Sequence, residues 1–375
     1  MKIAIDMRSL SKSDWAGKQK YVFGFLKELF KIDQKNQYIL YVDEKIDFNA
    51  PNNYCLKIIL GGSMIWHIKI LFDLIKTKPD IYFGATSYIV PALNIFTENI
   101  IIIYDLVSFL PDSNKNHNKK AKYIEKLFMK LACRNSRRII SISENTKKDL
   151  IKIFKIDPKI IQTVYPACSR EFKIIEDENY LSEIRKKYDL PENFLLFVGT
   201  LEPRKNLIKL IESYNKFIGE KEFENYKLIL VGKKGWHYDE IFRKVEELNL
   251  QNKIIFLGYA PDDDVPAFYN LASCFIYPSI YEGFGMPVIE AMRCGCPVIT
   301  SNTSSLPEAA GDKAVLVDPE SIDEIVTAIK NVLSDNVLRE SMKKKGIEWS
   351  KKFSWENTAR DISGIIDNLF VIVKK

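Results

Sequence analysis

Twelve short runs rich in β-branched residues recur along the chain, most of them separated by stretches with helical periodicity. KIAIDM, YILYVD, LKIIL, IYFGA, IIIIYDL and RIISIS occupy the first half, and FLLFVG, KLILVG, KIIFLG, CFIYPS, PVIT and AVLVD the second. Near-continuous apolar strands alternating with helices are the mark of parallel sheets covered on both faces. A chain of 375 residues exceeds what one core usually organises. The expected fold class is therefore α/β, with two doubly wound, Rossmann-like domains in series. The stretch 171–189 has no strand pattern and is expected to be the linker between domains at 1–170 and 190–350. Ligands of such sheets bind outside the carboxyl ends of the strands, so a crevice between the two sheets is expected.

Composition narrows the class. Charged residues make up 28% and apolar ones 46%, which excludes disordered and collagenous chains. The longest apolar stretches are interrupted by Asp105, or by Lys69 and Asp73, short of the roughly 20 residues a membrane span needs. The N-terminus alternates like a strand and lacks the pattern of a signal peptide, so a cytoplasmic location is expected. Six cysteines in a chain of this size suggest reduced thiols, and Cys294 and Cys296 lack a second pair to complete a metal site. With three histidines in all, histidine-based metal catalysis is poorly supplied.

Charge is uneven. Residues 1–173 hold 29 Lys and Arg against 17 Asp and Glu, a surplus of 12, whereas the remainder carries a deficit of 6. The basic half calls for an anionic partner such as nucleic acid, a membrane surface or a diphosphate-bearing substrate. From Lys119 to Arg138, Lys122, Lys126, Lys130, Arg134 and Arg137 recur at helical spacing. Ala121, Ile124, Leu127, Phe128 and Leu131 are expected to pack on the sheet behind them. That basic face is expected either to be simply solvated or to meet anionic lipid or a lipid-linked diphosphate.

Chemistry concentrates after the strand ends. FLLFVG is followed by Thr200, Leu201, Glu202, Pro203, Arg204, Lys205 and Asn206, two cations before a helix from about Leu207. A helix N-terminus beside Arg and Lys is a natural anion site. LILVG is followed by Lys233, Lys234, Gly235 and Trp236, which lacks the second glycine and the Lys-Ser/Thr step of a phosphate loop. CFIYPS is followed by IYEGFGMPVIEAM, in which Gly283 and Gly285 let the backbone approach a ligand and Pro287 suits a first helical turn. Glu282 in the loop and Glu290 one turn into the helix can reach opposite ends of one extended ligand, as suits paired hydroxyls of a ribose and a hexose. Asp262, Asp263 and Asp264 read as a helix-start cluster that caps backbone N–H groups.

These motifs resemble the retaining, nucleotide-sugar-dependent glycosyltransferases of family 4, which have the two-domain GT-B fold. The resemblance covers nearly the whole chain and is strongest over YPSIYEGFGMPVIEAMRCGCPVITSNTSSLPEAAGDKAVLVDP, with VGTLEPRKNL, FLGYAPDDDVPAFYNLAS, RIISISENTKKDL and FSWENTAR in support. It implies a nucleotide-sugar donor domain in the second half and an acceptor domain in the first, completed by a C-terminal helix at about 353–375. It implies that Arg204 and Lys205 bind the donor diphosphate, that Glu290 binds the ribose, and that Glu282 with Gly283, Phe284, Gly285 and Met286 holds the transferred sugar. Gly17 corresponds to the family's N-terminal glycine near the donor phosphate. Glu282, Lys205 and Asp105 are the implied catalytic residues. The chain departs from common family patterns at Thr200, where relatives have Arg, and at Tyr104, where they have His before the Asp.

The expected activity is metal-independent transfer of a hexose or deoxyhexose, with retention, to a glycan or lipid-linked acceptor in surface polysaccharide or lipopolysaccharide assembly. No cofactor is expected beyond the donor substrate, and the likeness of VGTLEPRKNL to mannosyl- and rhamnosyltransferases points first to GDP-mannose. Nucleic acid is not an expected partner; peripheral contact with an anionic membrane at its inner face is. The alternative from another class is a non-catalytic nucleotide-sugar-binding subunit or scaffold. A nicotinamide oxidoreductase is disfavoured because the first strand leads into MRSLSKSDWAGKQ rather than a G-x-G-x-x-G turn.

Overall fold

A computed structural model describes residues 1–8, 17–44, 53–109 and 119–373. The chain divides into two compact units, Met1–Ala167 with Ser354–Lys375, and Cys168–Phe353.

The first unit contains β1 (Lys2–Asp6), α1 (Gly17–Ile32), β2 (Gln37–Val42), β3 (Tyr54–Ile58), α2 (Ser63–Thr77), β4 (Ile81–Gly84), α3 (Ile89–Leu93), β5 (Glu98–Ile103), α4 (Lys119–Arg134), β6 (Arg138–Ser141), α5 (Glu144–Phe154) and β7 (Ile161–Thr163). Its strands lie in the order β3-β2-β1-β4-β5-β6-β7, and the named pairings are parallel. β1 and β4 are neighbours although four elements separate them, so the strand order reverses there. One face of the sheet packs Ala4, Tyr41 and Tyr82 against Trp66, Ile70 and Leu74 of α2, and Ile101 and Ile103 against Met129, Ala132 and Cys133 of α4. β7 has no counterpart among the expected strands.

The second unit contains α6 (Glu178–Lys187), β8 (Phe194–Val198), α7 (Leu207–Ile218), β9 (Lys227–Val231), α8 (Asp239–Glu247), β10 (Ile254–Gly258), α9 (Val265–Leu271), β11 (Cys274–Tyr277), α10 (Met286–Arg293), β12 (Val298–Ser301), α11 (Leu306–Ala310), β13 (Val315–Val317), α12 (Ile322–Ser334) and α13 (Asn336–Ser350). Its order is β10-β9-β8-β11-β12-β13, again parallel, with the reversal between β8 and β11. The last helix, α14 (Trp355–Val373), belongs to the first unit. Trp355 lies edge-on to Tyr21 of α1, and Ile362, Ile365, Ile366 and Leu369 are buried at helical spacing.

Three expectations are corrected. The stretch 171–189 is not a linker: Asp177 caps α6 by accepting from the Tyr180 N–H, Leu181 and Ile184 are buried, and the whole stretch belongs to the second unit. Asp264 does not cap α9; its carboxylate is taken by Lys187 at 2.7 Å and the Tyr188 hydroxyl at 2.5 Å, which ties α6 to the loop before α9. On α4, Phe128 and Leu131 pack on the core as expected, beside the buried Met129, Ala132 and Cys133, whereas Leu127 is 45% and Ile124 38% exposed; the side chain of Ala121 lies outside the described residues. Helical spacing fixes which residues share a side, and here the packed side is turned toward Met129, Ala132 and Cys133 and away from Ile124 and Leu127.

Candidate active site

The reversal of strand order in the second unit places the turn after β8 beside the loop after β11. That is where a doubly wound sheet opens a binding crevice. The turn after β8 closes as a single 3-10 turn, Pro203–Lys205, and Asn206 follows at φ 58° to start α7. The Ile280 N–H donates to the Arg204 carbonyl at 2.9 Å, so backbone joins the two loops before any side chain does.

Side chains complete the join. The Lys205 ammonium reaches Glu282 Oε1 at 2.6 Å and the Tyr277 hydroxyl, which itself donates to the same carboxylate oxygen at 3.0 Å. Arg204 reaches Glu282 Oε2 at 2.7 Å through one nitrogen and Glu202 at 2.5 Å through another. Lys205 and Glu282 are buried, while the Arg204 side chain is 32% exposed. Burial alone would raise the Glu282 pKa, but the adjoining Lys205 and Arg204 charges outweigh it and hold the carboxyl down to about 2. Burial, with Arg204 nearby, pulls the Lys205 ammonium below its ordinary value against the pull of Glu282. Arg204 stays charged, since Glu282 and Glu202 overcome its desolvation. Counting Glu202, two cations face two carboxylates and the cluster is neutral.

The backbone of Glu282 is fixed from below. Its N–H donates to Ser304 Oγ at 3.0 Å, and its carbonyl accepts from the hydroxyls of Ser304 and Ser305 at 2.8 and 2.9 Å. Gly283 follows, half-buried; Phe284 is buried with its ring 5.3 Å from Phe353; and Gly285 precedes α10 at φ 107°, a conformation that suits glycine. Met286 is the first residue of α10. No acceptor among the described residues takes the N–H of Gly285 or Met286, as expected where a helix begins. Glu290 lies in the second turn of α10, and its charge raises the pKa values of the buried Tyr269 hydroxyl and Cys168 thiol, on which burial acts more strongly.

The second unit thus brings Arg204, Lys205 and Glu282 into one cluster, with Gly283 to Met286 directly after it. Gly17 and Asp105 belong to the first unit. Gly17 is the first residue of α1 rather than part of the preceding loop, and a side chain there would meet nothing within 4 Å. Asp105, two residues past β5, accepts from the Val107 N–H at 3.1 Å. Tyr104 is buried, donates to the Ala85 carbonyl at 2.8 Å and stands edge-on to Tyr21. The Lys233 to Trp236 stretch is tied to the turn after β8: the Leu201 N–H donates to the Lys233 carbonyl at 2.9 Å, and the Gly235 N–H to the Leu201 carbonyl at 3.0 Å. Tyr277, Ser304 and Ser305 were not singled out from sequence, although all lie in or beside the stretch that carries the strongest motif. Among the described residues no group of three or more His, Cys, Asp or Glu is placed to hold a metal ion.

The profile of the family Glycosyl transferases group 1 matches residues 182–349, which span this whole constellation. The chain is 34% identical over 281 residues to the O-antigen chain mannosyltransferase B of Escherichia coli, covering 75% of this chain and 72% of that protein. The chain belongs to the group 1 glycosyl transferases. This glycosyltransferase is also 31% identical over 275 residues to the serotype-specific mannosyltransferase WbdA of Escherichia coli, a match over 72% of this chain and 33% of that protein. Among solved structures it is similar to the sucrose-phosphate synthase of Thermosynechococcus elongatus, with a TM-score of 0.78 over 99% of each chain at 18% identity. That likeness establishes the GT-B fold for the glycosyltransferase.

Proposed function

We propose that this glycosyltransferase transfers a mannosyl residue from GDP-mannose to a glycan or lipid-linked acceptor of a surface polysaccharide, with retention at the anomeric carbon and without a divalent metal. The observation that carries the reading is the cluster of Arg204, Lys205 and Glu282 at the strand-order reversal of the second unit, directly before the amides that open α10. The names of the two mannosyltransferases to which the chain is similar supply the sugar.

The geometry divides the labour. Negative charge grows on the leaving diphosphate as the glycosidic bond breaks, and stabilising it is the main physical task. Arg204 is the cation that solvent reaches, so it meets the diphosphate, together with the Gly285 and Met286 N–H groups. Lys205 is buried and holds Glu282, whose ionised carboxylate accepts hydrogen bonds from hydroxyls of the transferred sugar. Because the cluster is neutral, the donor binds by exchanging carboxylate partners on Arg204 for phosphate oxygens. Glu290 takes the ribose.

The test is a panel of nucleotide sugars, with release of nucleoside diphosphate measured against a mannan-type acceptor and the anomer of the product read by proton NMR. Turnover with GDP-mannose in the presence of chelator and an α-linked product support the proposal. Turnover only with another nucleotide sugar, only with added metal, or with a β-linked product refutes the corresponding part.

A further inference from the structure

The first unit carries an apolar surface that the donor cluster does not use. The sheet side of α2 is filled by the fully buried Trp66, Ile70 and Leu74. Its opposite side ought to be charged, as the outer face of a surface helix is. Instead Met64, Ile65, Ile68, Phe72 and Ile75 are exposed there, Phe72 at 63%. The exposed charges on that side are Lys69 and Lys76, with no carboxylate among them; Asp73 is turned toward Tyr41 and Lys57. Neighbouring helices continue the pattern. α3 packs against both α2 and α4, on the sheet face that Ala4, Tyr82, Ile101 and Ile103 share. Past the end of α3, Phe96 is 55% exposed, and on α4 Tyr123 is 70% exposed.

An exposed apolar area of this extent marks an interaction surface. A second copy of the chain and a lipid surface are the two occupants to weigh, and charge decides between them. Symmetric pairing would set Lys69 and Lys76 of one copy against those of the other, between two halves that each carry a surplus of 12 positive charges. An anionic bilayer meets the same charges favourably and accepts apolar side chains from several elements of one layer without needing a matching groove. We infer that the outer face of α2, continued by Phe96 and Tyr123, seats the protein on an anionic bilayer. Ile65, Ile68 and Phe72 enter the headgroup boundary while Lys69 and Lys76 meet lipid phosphates. Lys130 and Arg134 on α4, both exposed, add attraction at longer range. The anchor is thus the apolar face of α2 rather than the basic stripe of α4.

This inference does not rest on the donor reading, and binding of GDP measured on the same preparations keeps the two separate. The experiment is sedimentation of the full chain with vesicles of phosphatidylglycerol and phosphatidylethanolamine, against pure phosphatidylcholine, at 0.1 and 0.5 M salt. Wild type is expected to pellet with the anionic vesicles and to keep part of its binding at the higher salt. Replacing Ile65, Ile68 and Phe72 by Ser is expected to lower partitioning by at least about tenfold, because three exposed apolar groups no longer transfer from water. Thermal unfolding and GDP binding should stay unchanged. In a Phe72→Trp variant, added anionic vesicles are expected to shift tryptophan emission to the blue. Wild type that stays in the supernatant overturns the inference, as does a triple variant that pellets like wild type. A wild-type dimer that the triple variant converts to monomer in analytical ultracentrifugation, with no vesicle binding, assigns the face to a second copy and overturns it too.

Discussion

Replacing Glu282 by Gln removes one charge from a cluster in which, among the described residues, Lys205 has no other carboxylate as close, and the pair is more than nine-tenths buried on both sides. A carboxyl held at about 2 instead of its ordinary 4.5 corresponds to about 3 kcal/mol of stability at neutral pH. The same order, about 3–5 kcal/mol, is typical when one partner of a buried ion pair is removed. Because the pKa is depressed on folding, this contribution is complete above about pH 4.5 and disappears as pH falls toward 2. Lys205→Met should cost a similar amount, since it leaves Glu282 with Arg204 alone. The double variant should cost little more than either single one, which gives a coupling energy of about 2–3 kcal/mol. Hydrogen exchange of β8 and β11 amides in rising urea isolates the second unit and gives each stability separately. Losses that add within about 0.5 kcal/mol would show that Lys205 and Glu282 are not one energetic unit, and the geometric account of the site would fail with them.

Glu290→Ala should weaken binding of both bare GDP and GDP-mannose, whereas Glu282→Gln should weaken only the sugar nucleotide, by about 1.5–3 kcal/mol as for hydrogen bonds to a charged group; calorimetry with both ligands checks this, and equal losses in both variants refute it. Asp6, fully buried, has its pKa raised to about 6 by desolvation, so wild type should lose about 3 kcal/mol relative to Asp6→Asn as pH rises from about 4 to 6, with no further change above; a flat difference refutes it. Gly232→Ala should lower stability by more than about 3 kcal/mol, because the new Cβ would lie 1.9 Å from the Gly199 carbonyl oxygen at a φ of 150°; an unchanged urea midpoint would contradict that contact. Ending the chain before Ser354 removes α14 and should give insoluble protein, since Tyr21 and the rest of α1 lose their cover; a soluble, active truncation would rule this out.

Periodicity and local chemistry made the twelve other strands legible, because each lies in an apolar run that stands out from its neighbours, even the three-residue β13 within AVLVD. β7 did not stand out: three residues, Ile161–Thr163, one of them Gln, carry no pattern of their own and pair only because β6 lies beside them. α6 was hidden for a similar reason, since Leu181 and Ile184 are its only buried residues and the rest is charged or polar. Each half of the site was legible as a motif, the two cations after β8 and the glutamate after β11. Their pairing was not, because 77 residues separate Lys205 from Glu282 and only the strand order makes them neighbours. Tyr277 went unread because an aromatic residue at the end of an apolar strand looks like core until its hydroxyl is seen between a cation and a carboxylate.

The two units repeat one topology and each has a buried carboxylate at its strand-order reversal, yet they partner it by different means. In the first unit Asp6 ends β1 beside β4, and accepts from the Thr86 N–H at 2.6 Å, the Thr86 hydroxyl at 2.7 Å and the Tyr82 hydroxyl at 3.1 Å. These are dipoles without a net charge, desolvation prevails, and the carboxyl is pushed up to about 6. In the second unit the corresponding turn supplies Arg204 and Lys205, and Glu282 is pulled down to about 2. Hydrogen bonds alone therefore hold a carboxyl in place at a strand-order reversal but leave its pKa raised, so that it is protonated already at mildly acidic pH, whereas two adjoining cations keep one charged well below that. Among the described residues, only the second unit sets cations against a carboxylate there. A reaction in which charge separates between a sugar and its leaving diphosphate needs such a preorganised site, and that is the physical reason to assign the donor chemistry to the half of the chain that begins at Cys168.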